Sequence, residues 1–272
     1  NMTNPRPDWQ ETFRDLPPIP PYKKWVEGSH TTIEQDISMK LLRKEDISKE
    51  EEEIFTTLSC FYQQLDIKLK DLDYTTFTPE DAENFKNYIL YAFNYMGLVR
   101  NMLTVFTTYR IVVNQDVTGK NEPITDAKFL KYPPLDAVKA RGRYNRANTP
   151  NATLFYSAEN INTAIREIRP PSNRLVTVGV WAPIVPGFKL NVNVISHGLP
   201  EAFVNEGVNK ANKAFAEHVP YNHPLFMQYM EYYYRVLGNE FTKRTKHHTE
   251  FMTSALFAER LLANENVGNG ES

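Results

Sequence analysis

Residues 146–156 read RANTPNATLFY, and the helix-like segment that follows delivers Glu167 in TAIREIRP. Arg146, Tyr156 ten positions later and Glu167 eleven positions after that are all residue types that do chemistry. A guanidinium presents a planar fork of donors that fits carboxylate or phosphate oxygens. Tyrosine adds a flat ring with a hydroxyl, and a carboxylate stabilises positive charge developing on a reacting group. The same residues also have a plainer reading. Arg146 is then a loop arginine, and Glu167 is a helix-surface acid at the edge of the apolar stripe Ile161, Ala164, Ile165 and Ile168, both solvated. The bare sequence leaves both readings open.

Other familiar signatures fail. The chain has no GxGxxG, no P-loop and no GxSxG. His247 and His248 are adjacent, so on a helix they point apart and cannot chelate one ion. His197, His218 and His223 lie near turns without acids at ligand spacing, and they read as solvated or capping residues. No metal is expected. Cys60 in LSCFYQQL has no nearby base and reads as a small buried hydrophobe on a helix face. As the single cysteine, it excludes an intrachain disulfide. EYYYR at 231–235 reads as core with some exposed phenols.

The elements that must position these residues are embedded in an ordinary globular composition. Of 272 residues, 41% are hydrophobic and 24% charged, enough apolar material for a proper core. The net charge is -2 and no basic stripe appears, so nucleic acid is not an expected partner. No apolar run approaches the ~20 residues of a membrane helix, and the start NMTNPRPDWQ has no leader-like apolar stretch. A cytoplasmic location is expected.

Residues 1–30, with DLPPIPPYKKW, read as a proline-rich extended arm, anchored by Trp9 and Trp25. Residues 31–104 read as a helical module. SKEE at 48–51 is a capping-box pattern followed by Ile54, Leu58, Phe61, Leu65 and Leu69 at helical spacing. TPED at 78–81 offers a second cap, with Pro79 at the first helical position. Phe85, Ile89, Ala92 or Phe93, Met96, Val99 and Leu103 then continue a stripe. The texture changes at Val105. VFTTYRIVVN, TLFYS (153–157), RLVTVGVWA (174–182) and KLNVNVI (189–195) have strand character. Helices are expected at 160–168, 200–217, 224–238 and 249–263. This order predicts an α+β fold behind a helical N-terminal module.

RANTPNATLFYSAENINTAIREIRP resembles the signature of the RES domain family: an arginine and asparagine, a short turn, a tyrosine that closes a strand, and a glutamate in the next helix. YRIVVN resembles the arginine-bearing strand that opens that domain, and EFMTSALFAERLL resembles the helix before the family's serine motif. The resemblance covers about residues 105–272 and implies an ADP-ribosyltransferase-like fold, with a small mixed or antiparallel sheet flanked by helices. It implies NAD as substrate, cleaved at the nicotinamide–ribose bond by hydrolysis, by phosphorolysis or by ADP-ribosyl transfer. It also implies a bacterial toxin, with an antitoxin or a target protein as partner. On this reading Glu167 stabilises the oxocarbenium-like ribose, Arg146 and Arg110 bind pyrophosphate, and Arg143 can substitute for Arg146. Tyr156 faces the nicotinamide or ribose.

The family's serine motif has no counterpart. The sequence runs out in NVGNGES, and Ser272 is not given the role, so the RES-like segment is expected to be incomplete at its C-terminus. The competing expectation is a non-catalytic interaction scaffold built on a degenerate RES domain. The two differ geometrically, because only an enzyme requires Arg146, Tyr156 and Glu167 to meet in one place near Arg110.

Overall fold

The structure, a computed structural model, describes residues 9–17, 33–93, 100–104, 106–193, 195 and 223–263. Its helices and strands run α1 (Trp9–Phe13), α2 (Ile33–Leu42), α3 (Lys49–Asp71), α4 (Pro79–Ala92), β1 (Arg100–Thr104), β2 (Thr108–Val113), α5 (Asn114–Thr118), α6 (Leu135–Arg141), α7 (Ile161–Ile168), β3 (Val176–Trp181), β4 (Lys189–Asn193), α8 (Pro224–Thr242) and α9 (Met252–Ala263). The fold is therefore mixed α+β and mostly helical. Its strands form two two-stranded sheets, β1 with β4 and β2 antiparallel to β3. No helix among the described residues is long and apolar enough to cross a membrane.

The chain divides into two compact units, one of residues 1–99 and 193–272 and the other of residues 100–192. This differs from the expected split into a 1–30 arm, a 31–104 helical module and a 105–272 domain. The C-terminal helices belong with the N-terminal ones: α8 packs along α3, and α9 packs against α4. Both pairings join segments distant in sequence, and no local pattern encodes them.

In the helical unit both caps form as the sequence predicts. Ser48 Oγ accepts from Glu51 N at 3.2 Å while Glu51 Oε2 accepts from Ser48 N at 2.7 Å. Thr78 and Asp81 make the same reciprocal pair at the start of α4. The α3 stripe Phe55, Leu58, Phe61, Tyr62, Leu65 and Leu69 is buried. Rings interlock across the α3–α8 contact, Phe55 on Tyr229 and Tyr62 on Tyr233, each at 5.2 Å and nearly perpendicular. Tyr233 and Tyr234 of EYYYR are core, as expected.

Four local expectations are corrected. The arm contains a helix at Trp9–Phe13, whose Trp9 is buried against Phe13 and Phe85; Trp25 lies outside the described residues. The α4 stripe stops at its cap, Phe93, and Arg100–Thr104 is a strand. Leu103 belongs to the strand, since a short apolar run fits both periodicities, and Met96 and Val99 lie outside the described residues. Cys60 is exposed, because a helix turns about 100° per residue and Ser59, one step back, takes the buried position. The rings of His247 and His248 do not diverge; they lie 4.5 Å apart, with His247 capping a short 3-10 turn at His248–Phe251. The expected helix at 200–217, with His197, His218 and Ser272, lies outside the described residues.

In the second unit β2 buries Ile111, Val112 and Val113, and α7 packs against it. Residues 153–157 form no strand. The segment touches the sheet through one bridge, Tyr109 to Ala158, with N–H···O distances of 2.7 and 2.9 Å.

Candidate functional site

The Arg146 loop is shaped by its own polar residues. Helix α6 ends on Gly142, whose φ of 58° is a left-handed conformation that suits glycine. Beyond it, Asn145 N donates to Asn148 O at 2.8 Å and Asn148 N to Asn145 O at 3.3 Å, closing a tight reversal around Arg146 and Ala147. The buried Asn148 side chain then accepts from Leu154 N at 2.6 Å, tying this loop to the segment that carries Tyr156. Thr153 Oγ1 fixes the same segment by donating to Pro133 O at 2.8 Å. The asparagine of RAN thus sets the loop that presents the arginine, a role its position beside Arg146 did not disclose.

Glu167 comes from α7, which starts with Asn160 accepting from Thr163 N at 2.8 Å. Arg146 Nε lies 3.1 Å from Glu167 Oε2, with side chains 15% and 32% exposed. The Tyr156 phenol is near the same carboxylate; burial first, and then the negative charge of Glu167, hold it above its ordinary value, while Arg146 pulls the other way. Arg110 reaches the group from β2, its Nη1 donating to Tyr156 O at 3.0 Å.

Arg146, Tyr156 and Glu167 therefore meet in one place, and Arg110 stands directly behind Tyr156. Arg143 is exposed and takes no part in the Arg146–Glu167 pair. Sequence reading missed two neighbours. Phe155 and Trp181 stack edge to face at 5.0 Å, and the Arg110 guanidinium lies 5.5 Å from the centre of the Phe155 ring. Only the strand register makes Trp181 legible as a neighbour, since it places this residue two steps from the partner of Arg110. Burial alone lowers the affinity of the Arg110 guanidinium for its proton.

Chemically, the cluster offers one carboxylate paired with a guanidinium and near a phenol, with a second guanidinium bonded to the backbone of that tyrosine. No group of three or more His, Cys, Asp or Glu side chains able to hold a metal ion occurs among the described residues. Compared with family models, with curated proteins and with solved structures, the chain matches none.

Proposed function

We propose that the chain is an NAD-consuming enzyme of RES type, acting through the cluster on residues 100–192. The observation that carries the reading is the meeting of Arg146, Tyr156 and Glu167 around one carboxylate, from a loop, an extended segment and a helix. In this reaction the nicotinamide–ribose bond breaks, its electron pair leaves with nicotinamide, and positive charge grows on the sugar. Glu167 faces that charge. Arg146 holds the carboxylate in place with Tyr156 beside it, so little reorganisation is needed as the charge develops. Water captures the sugar in the hydrolytic case, giving ADP-ribose and a proton; a phosphate or a protein nucleophile captures it in the others. Arg110 supplies a positive charge for the pyrophosphate.

The test is nicotinamide release by the folded full chain incubated with NAD. Release that falls at least ~100-fold in Glu167→Gln supports the reading, by analogy with the loss of one electrostatic stabiliser. No release from folded protein, or release indifferent to Glu167→Gln, rejects it. The products separate the three outcomes, since hydrolysis alone yields free ADP-ribose.

One observation favours a second reading, an interaction scaffold. Ile161, Ile165 and Ile168 form the apolar stripe of α7 and are 40%, 41% and 43% exposed, whereas such a stripe is ordinarily covered. On this reading an antitoxin or target protein covers them. Retention of a partner by the wild type and its loss in Ile165→Lys, with no NAD turnover in either, would select it.

A further inference from the structure

Strand pairing sets Arg110 opposite Gly179 and Thr108 opposite Trp181. Paired residues share a sheet face, as do residues two apart on one strand, so Arg110, Gly179 and Trp181 lie on the same face. Gly179 is where the indole comes to rest. A Cβ added there would lie 2.9 Å from Trp181 Nε1 and 3.4 Å from Leu130. The indole N–H therefore lies over the residue directly across from Arg110. Phe155 touches both partners, standing 5.0 Å from the Trp181 ring and 5.5 Å from the Arg110 guanidinium.

Two donors in this corner have nothing to donate to. Arg110 Nε and Trp181 Nε1 are buried and make no hydrogen bond among the described residues. One arm of the Arg110 fork is used on Tyr156 O, but no carboxylate pairs with the guanidinium among the described residues. Arg110 as a whole is half-buried, but two shielded N–H groups without acceptors are costly unless a ligand acceptor completes them. Phe155, which contacts both partners, is 41% exposed.

We propose that Trp181 is a ligand-binding residue: its indole N–H and the Arg110 Nε–H together hold one phosphoryl oxygen, which enters as the Phe155 ring turns aside. A guanidinium edge and an indole N–H are both pure donors, so they select an acceptor-only group over a hydroxyl or an amide. The ligand class is a phosphate ester or pyrophosphate. Its identification with the pyrophosphate of NAD rests on the function proposed above, whereas the anion site itself rests on geometry alone.

The experiment is calorimetric titration of the full chain with inorganic pyrophosphate, alongside tryptophan fluorescence. Saturable binding is expected, with a change in emission absent from Trp181→Phe. Trp181→Phe keeps an aromatic ring and removes only the N–H, and it should weaken pyrophosphate about tenfold with an unchanged circular dichroism spectrum. Should that variant fold poorly, Gly179→Ala serves instead, since its Cβ displaces the indole and should weaken binding similarly. Phe155→Ala should bind as tightly as wild type or more so. Failure of pyrophosphate to bind, wild-type affinity in folded Trp181→Phe, or equal competition by adenosine overturns the proposal. Pyrophosphate binding that depends on Trp181 without NAD turnover keeps this site and removes the NAD reading; turnover with pyrophosphate affinity indifferent to Trp181 does the reverse.

Discussion

Arg146 Nε and Glu167 Oε2 lie 3.1 Å apart across 21 residues of chain, joining a loop to a helix. The pair is partly exposed, so its contribution to stability should be small, about 1 kcal/mol or less. Its contribution to chemistry should be large if Glu167 faces the ribose. Arg146→Ala is expected to lower nicotinamide release at least ~10-fold while leaving the denaturation midpoint nearly unchanged. Arg146→Lys should not restore it, because an ammonium lacks the planar fork. Urea denaturation beside a turnover assay separates the two effects; equal losses in both would make the pair merely structural.

Tyr156 tests the same carboxylate from the other side. Its phenol sits above its ordinary value because of burial and then Glu167. The folded state therefore keeps this proton longer than the unfolded one. The associated stability is present below the unfolded value near pH 10 and is lost as pH rises beyond it. Glu167→Gln removes the negative charge and should lower the Tyr156 titration, read as the difference in phenolate absorbance between that variant and the same variant carrying Tyr156→Phe. An unmoved titration would mean that the phenol does not face Glu167 in solution.

How much of this was legible in the sequence differs by scale. Ser48 and Thr78 announced their helices because a cap is written within four residues. Residues 161–168 were equally plain, their apolar positions recurring at helical spacing. TLFYS looked like a strand, yet only Ala158 bridges to Tyr109, since strand character cannot say whether a partner edge is available. The union of α8 and α9 with α3 and α4 could not be read locally at all. In the site, Arg146, Tyr156 and Glu167 stood out by type and order. Trp181 and Gly179 did not, because their meaning depends on the register that sets Gly179 opposite Arg110.

Glu240 in α8 is 3% exposed, and burial pushes its carboxyl above its ordinary value while Lys243 Nζ, at 2.5 Å, pulls it back. Between the unfolded value near 4.5 and the raised folded value, the folded state binds more protons. Stability carried by this group is thus full below pH ~4.5 and falls as pH rises through that window. Wild type minus Glu240→Gln, measured by urea unfolding from pH 4 to 8, should decline as pH rises. Lys243→Met should cost more than Glu240→Gln, about 3 kcal/mol at neutral pH, because it strands a buried carboxylate. A flat difference profile would show that Glu240 is solvated.

Tyr62 offers a prediction that isolates one hydrogen bond from the packing around it. Its ring is buried in the α3–α8 contact, and its hydroxyl donates to Ala92 O at 2.6 Å, at the last residue of α4. That carbonyl belongs to the final turn of a helix and has no partner within it. Tyr62→Phe keeps the ring contacts with Phe93, Tyr229 and Tyr233 and removes only the donor. The expected cost is about 1–2 kcal/mol, the penalty of a buried acceptor left unsatisfied. Tyr62→Leu also loses the ring and should cost more, roughly 3 kcal/mol. Chemical denaturation of the three proteins decides the matter: if Tyr62→Phe is as stable as wild type, water has replaced the hydroxyl and the end of α4 is open to solvent.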